Sequence, residues 1–365
     1  MRILSYGGFI DYQIQLANEL CNKHTVMLVI PANDMPNSYS GYIDKRVDVR
    51  LLGVGKSTYH YSSLISLIKF IIMSHYFKPD VIHQQLGGCI VDLALLPFFK
   101  FFPLVSTFHD VKLHFGEWSY RSEFIRFWER KYSDRIIVHG KVLKKQMVQE
   151  YHLSDHKIHS IPIGEHEVAP FKKYIKSDLQ EDGNLVLFFG RIWRYKGLKY
   201  LISAEPLISK EVPDAKIIIA GVGENFQEYE SMMVNRDNFI IYNYRIPYNE
   251  GAELFQRCSL VVLPYIDASQ SGVIPTAYGF KKPVVVTSVG SIPEVVDDGI
   301  TGYIVPPKDA CALAKAIIKL LKDKQLKRQM GENAYIKLKT DFSWDNIAEK
   351  TINVYTEAIQ ARKCK

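Results

Sequence analysis

Short runs of Val, Ile, Leu and Phe alternate along this chain with longer stretches whose apolar residues recur at helical spacing. In the first half, residues 2–6, 25–30, 80–84, 104–109, 135–139 and 157–162 read as buried strands, being short, apolar and rich in β-branched residues. Between them, Leu16, Ala17, Leu20 and Cys21 share a helix face, as do Leu64, Leu67, Ile68, Ile71 and Ile72. The second half repeats the alternation more clearly, with strands expected at 185–189, 216–220, 239–242, 260–263, 284–287 and 303–305. After Val305 the pattern is helical through Lys339, with Leu313, Ala316, Ile317, Leu320 and Leu321 on one face. A last helical stretch runs from near Trp344 to about Ala361. Strand–helix alternation of this kind implies right-handed βαβ units and parallel sheets with helices on both faces.

The two sets of strands are separated by residues 165–183, which are polar, Lys-rich and free of strand signal. The chain therefore divides into a first α/β domain over 1–168, a linker over 169–183 and a second α/β domain over 184–344. Its 365 residues agree with that count at about 100–200 residues per domain. With 47% hydrophobic and 23% charged residues the composition is ordinary for a globular protein, which excludes disordered, collagenous and coiled-coil readings. The net charge of +7 suits anionic ligands or an acidic membrane surface, but there is no basic block or motif for nucleic acid, which is not an expected partner. Five scattered cysteines, Cys21, Cys89, Cys258, Cys311 and Cys364, lack zinc or redox spacing and read as thiols of a reducing compartment. The start reads as a strand entering a glycine turn rather than a secretory signal. The most apolar stretch, 90–105, holds Asp92, Lys100 and two prolines and is too interrupted to span a bilayer, so the expected location is the cytoplasm, with peripheral membrane contact left open.

Two doubly wound domains joined by one linker imply a cleft, and ligands in such sheets bind beyond the carboxyl ends of the strands. The turns there hold the candidate chemistry. In Phe189-Gly190-Arg191-Ile192-Trp193-Arg194-Tyr195-Lys196-Gly197, two cations five positions apart flank a glycine-punctuated turn, the second just ahead of an amphipathic helix. An Arg fork and a mobile Lys point charge suit a diphosphate. The plain alternative is two surface charges at a helix start. Residues 264–275 follow another strand, and Ser269, Gln270, Ser271, Gly272 and Val273 precede or open the next helix, where backbone N–H groups attract anions. A capped helix start without a ligand is the rival reading. Gly7 and Gly8 follow the first strand and allow close backbone approach, and Gly223 does the same after residues 216–220. The full Gly-x-Gly-x-x-Gly fingerprint is absent, so a nicotinamide dinucleotide is not expected. His109-Asp110 follows a strand end, where an imidazole suits a sugar hydroxyl or proton transfer, or simply packs. His152, His156 and His159 have no carboxylate or Cys partner at ligand spacing. No Asp-x-Asp occurs, so a metal-held diphosphate is not indicated.

At these residues the chain resembles the GT-B glycosyltransferases, and within them the retaining family 4. Gly7-Gly8 sits where the family has its amino-terminal glycine loop. Phe108-His109-Asp110 is similar to its Thr-x-His-Asp strand end, and Ile161-Pro162-Ile163-Gly164 to its Ile-Pro-Asn-Gly segment. Gly190-Arg191 with Lys196-Gly197 resembles its diphosphate clamp, and Ile219-Ala220-Gly221-Val222-Gly223 its Ile-x-Gly-x-Gly run. Lys282-Pro283-Val284-Val285, Ile292-Pro293-Glu294-Val295-Val296, Asp298-Gly299 and Thr301-Gly302-Tyr303 match segments near the end of the second domain. Where the family has two glutamates, for the donor sugar and the ribose, this chain has Ser269 and Ala277 when Gly272 is placed on the family glycine. Gln270, Ser271 and Tyr278 are the nearby polar residues expected to substitute for them.

The resemblance implies two Rossmann-like domains facing a cleft, with a final helix, residues 345–365, crossing back to the first domain. It implies Arg191, Lys196 and His109 as catalytic residues, and donor contacts from Gly7, Gly8, Gly190, Gly223, Tyr244, Arg245, Ile246, Ser269, Gln270, Ser271, Gly272 and Val273. The donor would be a UDP-, GDP- or similar nucleotide sugar, with no metal and no cofactor. The acceptor would be a glycan or lipid-linked molecule, as in synthesis of surface polysaccharides. The missing glutamates motivate a rival, a catalytically impaired sugar-nucleotide-binding subunit of a glycan-assembly complex. A basic and aromatic surface over residues 60–78, 97–103 and 141–145 of the first domain is the expected membrane contact.

Overall fold

The structure, a computed structural model, describes residues 1–32, 41–53, 61–85, 90–112, 120–164 and 171–363. Its contacts divide the chain into two compact units, Met1–Gly164 with Trp344–Lys365, and Glu165–Ser343. Each unit is built on a wholly parallel sheet.

The first sheet has seven strands: β1 (Arg2–Gly7), β2 (Thr25–Pro31), β3 (Asp48–Leu52), β4 (Val81–Gln85), β5 (Leu104–Phe108), β6 (Arg135–Val138) and β7 (Ile158–Ser160), in the order β3-β2-β1-β4-β5-β6-β7. Register is carried by apolar pairs such as Ile3 opposite Val26 and Val81. The strand β3 is absent from the hydrophobic pattern. It is an edge strand, Asp-Val-Arg-Leu-Leu, largely solvent-facing, in which Asp48 and Arg50 pair at 2.8 Å, so no run of apolar residues marks it.

The second sheet has six strands: β8 (Leu185–Phe189), β9 (Lys216–Ala220), β10 (Phe239–Tyr242), β11 (Leu260–Leu263), β12 (Val284–Thr287) and β13 (Gly302–Val305), in the order β10-β9-β8-β11-β12-β13. This is the doubly wound order, in which chain direction across the sheet reverses between the first and fourth strands. One side of the sheet packs on Ile202, Ile208, Leu313, Ile317 and Leu320, the other on Leu254, Phe255, Ile274 and Tyr278. Both faces are covered, which is why these strands read as unbroken apolar runs.

Helix boundaries follow caps. The helix expected from Val305 to Lys339 is two helices, Ala310–Lys322 and Lys324–Asp341. Asp309 Oδ1 accepts from the Ala312 N–H at 2.8 Å and Asp323 Oδ1 from the Leu326 N–H at 2.9 Å, so each aspartate starts its own helix. The residues expected as a linker are not a free connector: Phe171 is buried in the second unit's core against Phe255 and Phe280. The last helix, Trp344–Lys363, packs its Ile347, Thr351, Val354, Tyr355 and Ala358 into the first unit.

The helix Tyr61–Phe77 turns inward only part of the face its leucines and isoleucines indicate: Leu67 and Ile71 pack against the core beside Phe70 and Phe77. Ser66, Phe70, Ser74 and Phe77 are buried, while Ile65, Ile68, Ile72 and Tyr76 are exposed. The serines are tolerated inside because the backbone accepts their hydroxyls, Ser74 bonding to Phe70 O at 2.8 Å and Ser66 to Gly53 O. In the 97–103 run, Phe99 is core and Phe98 and Phe102 pack beside it, leaving Phe101 exposed.

Candidate active site

The reversal point of the second sheet lies between β8 and β11, and both turns that leave it carry sequence-predicted residues. After β8 the chain bends at Gly190, whose φ of 118° is a region where a side chain is strained. Gly221, at the end of β9, comes so close that a Cβ there would stand 1.8 Å from Gly190 O. Gly223 lies equally close to Ile192, to which it forms a β-bridge. Gly197 closes the turn in the left-handed conformation, φ 67°, with no room for a Cβ beside Pro264 O. These glycines press the turns after β8, β9 and β11 together.

Two tyrosines then join the cations. Arg191 donates to the Tyr195 hydroxyl at 3.2 Å, and the Lys196 ammonium lies 5.2 Å over the same ring. Lys196 also sits 3.8 Å over Tyr265, whose hydroxyl lies 3.3 Å from Ser271 Oγ. The Tyr195 carbonyl accepts from the Ile266 N–H at 2.8 Å, tying the two turns through the backbone. Arg191 is exposed and Lys196 half-buried, and Lys196 has no carboxylate partner among the described residues. Its charge is steadied by ring faces rather than neutralised. Neither Tyr195 nor Tyr265 is marked by the sequence. Each reads as an ordinary buried aromatic, and only the fold shows both rings against one ammonium.

Gly272 precedes a helix of seven residues, Val273–Gly279, and Thr276 Oγ1 caps back onto Gly272 O at 3.0 Å. Ser269 and Ser271 are buried. Gln270 has its Oε1 enclosed without a hydrogen-bond partner among the described residues, and so has Ser291 Oγ, on the neighbouring turn after β12. The Ser291 N–H donates to Ser269 O at 3.1 Å. Ala277 is fully buried in the core, so that position faces away from solvent. Tyr278 is not a stand-in for a missing carboxylate: it is also fully buried, with its hydroxyl 2.8 Å from Thr301 Oγ1. Tyr244, Arg245 and Ile246 follow β10, the first two exposed, and a hydrogen bond to Glu250 pushes the Tyr244 hydroxyl up to about 12.

In the first unit the equivalent reversal point lies between β1 and β4. Gly7 has φ 118° and leaves only 2.0 Å between a built Cβ and Gln85 O. The Gly8 N–H donates to the same carbonyl at 3.1 Å, and Gln13 Nε2 donates to Gly7 O at 2.8 Å and to Gly8 O. Phe9, in the left-handed region, lies flat on His109 with ring centroids 3.6 Å apart.

Of the two sequence readings of His109, the geometry matches the packed one. The ring is 2% exposed and engaged at both nitrogens, Nε2 lying 2.8 Å from the Gln85 side-chain amide and Nδ1 3.1 Å from His139 Nε2. The Ile161 carbonyl, an acceptor only, faces His139 Nδ1 at 2.9 Å, so that nitrogen carries the proton. Farther in, His83 lies 2.6 Å from the Tyr355 hydroxyl and 2.7 Å from Thr107 Oγ1. Complete burial, with a smaller contribution from His139, lowers its pKa to about 3. His139, Gln85 and His83 are partners that sequence reading missed, because they come from two strands far apart in the chain, His83 and Gln85 from β4 and His139 from the end of β6.

Two family models match the chain, one described as Glycosyltransferase Family 4 over residues 6–164 and one as Glycosyl transferases group 1 over residues 171–337. An uncharacterized glycosyltransferase of Methanocaldococcus jannaschii is 27% identical over 241 residues, 62% of this chain and 61% of that protein. Several other curated relatives, D-inositol 3-phosphate glycosyltransferases of Streptomyces among them, are matched over less than half of their own length. Among solved structures, sucrose-phosphate synthase from Thermosynechococcus elongatus aligns over 100% of both chains with a TM-score of 0.75 at 21% identity. The Anabaena protein HepE, solved in complex with UDP, aligns over 98% of this chain and 100% of its own with a TM-score of 0.72 at 18% identity. The two sheets, the glycine turns at their reversal points and the two family models together place the chain among the GT-B glycosyltransferases of the family 4 type.

Proposed function

We propose that this protein transfers a sugar, with retention of anomeric configuration, from a nucleotide diphosphate sugar to a glycan or lipid-linked acceptor. The observation that carries the reading is the linked set Arg191–Tyr195–Lys196–Tyr265–Ser271 at the reversal point of the second sheet. It sets a guanidinium and an ammonium beside a glycine turn where a backbone-hugging diphosphate fits. In this reading the two cations balance charge that develops on the leaving diphosphate, and stabilising charge where it develops is commonly what accelerates such a reaction most. Gly190 and Gly223 give the phosphates backbone access, and the 244–246 turn meets the base. Gln270 Oε1 and Ser291 Oγ, both enclosed and unpartnered among the described residues, offer polar contacts where the glutamates of the family are absent. The complexes of the Anabaena neighbour with UDP and with UDP-glucose support a uridine nucleotide donor.

Retention follows if the acceptor enters on the face the diphosphate leaves, a phosphate oxygen taking its proton, so no protein nucleophile is required. The acceptor side is assigned to the first unit. There His109 serves only after Phe9 lifts from its ring, which makes Phe9 the gate of that histidine. The exposed residues Ile65, Ile68, Ile72 and Tyr76 of one helix, with Phe124 and Phe127 of Tyr120–Tyr132 and the nearby Lys69, form the membrane-facing surface in this reading, at the cytoplasmic side of a bilayer. No helix among the described residues is long and apolar enough to cross a membrane.

The experiment is a thermal-shift screen of nucleotide diphosphates and their sugars, followed by donor turnover with the one that stabilises. A saturable rise with one nucleotide family, with release of the diphosphate, is the expected result. Tight donor binding with no turnover on any acceptor or water favours the impaired-subunit reading. No stabilisation by any nucleotide overturns both.

A further inference from the structure

We propose that the second unit carries a separate anion site at the amino-terminal edge of its sheet, built for the phosphate monoester of a small soluble molecule. Gly183, Ser259 and Pro283 stand just before β8, β11 and β12, whereas the candidate donor site lies just after β8 and β11. The two sites are therefore on opposite edges of one parallel sheet, separated by the length of its strands, about 15 Å at roughly 3.3 Å per residue.

A cavity of about 420 Å³ opens at that edge. Its wall holds Lys281, Lys282, Lys324, Lys327 and Arg328 against two carboxylates, Glu181 and Glu332. Lys281 and Glu332 pair on the rim at 3.0 Å. The inner cluster is unbalanced. Lys282 and Lys327 are 7% and 6% exposed, and both rest on the single carboxylate of Glu181, at 2.9 and 2.6 Å. Those cations, with desolvation opposing them, hold the Glu181 carboxyl below its ordinary range. All three N–H bonds of Lys327 are placed, on Glu181 Oε1, on Ser259 Oγ at 3.0 Å and on Gly183 O at 3.3 Å. Lys282 has Glu181 as its one partner among the described residues, so two of its N–H bonds remain to be met.

Burying a charge is costly unless it is paired and hydrogen-bonded. Two buried ammoniums on one carboxylate leave one positive charge uncompensated, and Lys324 and Arg328, exposed at the mouth, have no ion-pair partner among the described residues. A compact dianion seated against Lys282 and reached by Lys324 and Arg328 restores the balance. The volume exceeds a bare phosphate and lies within the range of small-molecule pockets, about 300–1,000 Å³, so the ligand has the size of a phosphorylated sugar.

The test is thermal denaturation with glucose 6-phosphate and with inorganic phosphate, each against sodium chloride of equal ionic strength. Three proteins are compared: the parent chain, Arg191→Ala/Lys196→Ala, and Lys324→Ala/Arg328→Ala, the last chosen because both side chains are exposed. The site predicts a saturable rise in Tm with glucose 6-phosphate that persists under saturating UDP and in Arg191→Ala/Lys196→Ala. It predicts at least a tenfold weaker apparent affinity in Lys324→Ala/Arg328→Ala. The proposal is overturned by no rise beyond the salt control. It is equally overturned by a rise that UDP abolishes, by one unchanged in Lys324→Ala/Arg328→Ala, or by binding to phosphatidic acid vesicles without any effect of the soluble monoester.

Discussion

A lysine held by aromatic faces and a lysine held by a carboxylate are different devices. Lys196 lies 3.8 Å over Tyr265 without a carboxylate partner among the described residues, so its position is set while its charge stays available to a ligand. Lys327 is spent on Glu181, Ser259 and Gly183. In the proposed reaction, Arg191→Ala and Lys196→Ala should each lower turnover by on the order of 10²–10³, with the melting temperature nearly unchanged. Steady-state kinetics beside thermal denaturation checks this, and folded variants with parental turnover would remove both residues from the mechanism. A second residue-level expectation concerns His83. Its pKa is about 3 in the folded chain against an ordinary value of 6.5, so the unfolded chain binds more protons between those limits. The stabilisation from keeping it neutral is complete above about 6.5 and is lost progressively as pH falls toward 3. Urea denaturation of the parent and of His83→Gln from pH 4 to 8 should show a steeper acid loss in the parent. Parallel profiles would mean that another group governs acid unfolding.

The turn is the element on which the site depends. Gly197 has φ 67° and a built Cβ 1.9 Å from Pro264 O, whereas Gly299 has φ 75° and nothing within 4 Å. Gly299→Ala should therefore cost only the left-handed strain, about 1–2 kcal/mol. Gly197→Ala adds a backbone collision that must move the β8 and β11 turns apart, so it should lower Tm further and weaken UDP binding as well. Calorimetry and nucleotide titration of the two variants separate these effects, and equal losses in both would show that the close approach to Pro264 is not needed. Phe9 is the corresponding element in the first unit. Phe9→Ala should uncover His109 and speed its modification by diethyl pyrocarbonate several-fold, followed by peptide mapping, and an unchanged rate would place the barrier elsewhere.

At the scale of the whole molecule, the proposed mechanism assigns charge balance to side chains and backbone, so transfer should persist in EDTA. Activity lost in EDTA and restored by magnesium or manganese would reject that assignment. Attachment through the exposed isoleucines and aromatics of the first unit should appear as co-sedimentation with anionic vesicles at low salt, weakened at high salt and in Ile68→Ser/Ile72→Ser. Equal recovery of parent and variant would exclude this face.

What could be read without the fold was whatever depends on local pattern. The five strands β8 to β12 have the bounds their apolar runs indicate, because a strand covered on both faces needs apolar residues at every position. Gly190, Arg191, Lys196 and Gly197 stood out for the same reason, since a tight turn at a strand end restricts residue type locally. The edge strand β3 was not legible, because none of its residues is fully buried and its charges pair with each other. The inward face of Tyr61–Phe77 was legible only through Leu67 and Ile71, since two serines satisfied by backbone carbonyls look polar in a sequence and behave as core in a structure. Beyond these, the rings around Lys196, the burial of His109 beneath Phe9, and the unequal pairing of Lys282 and Lys327 with Glu181 are properties of distance between residues far apart in the chain. Parallel strands bring their ends together whatever the intervening sequence, so those contacts were decided by the sheet order and not by any run of residues.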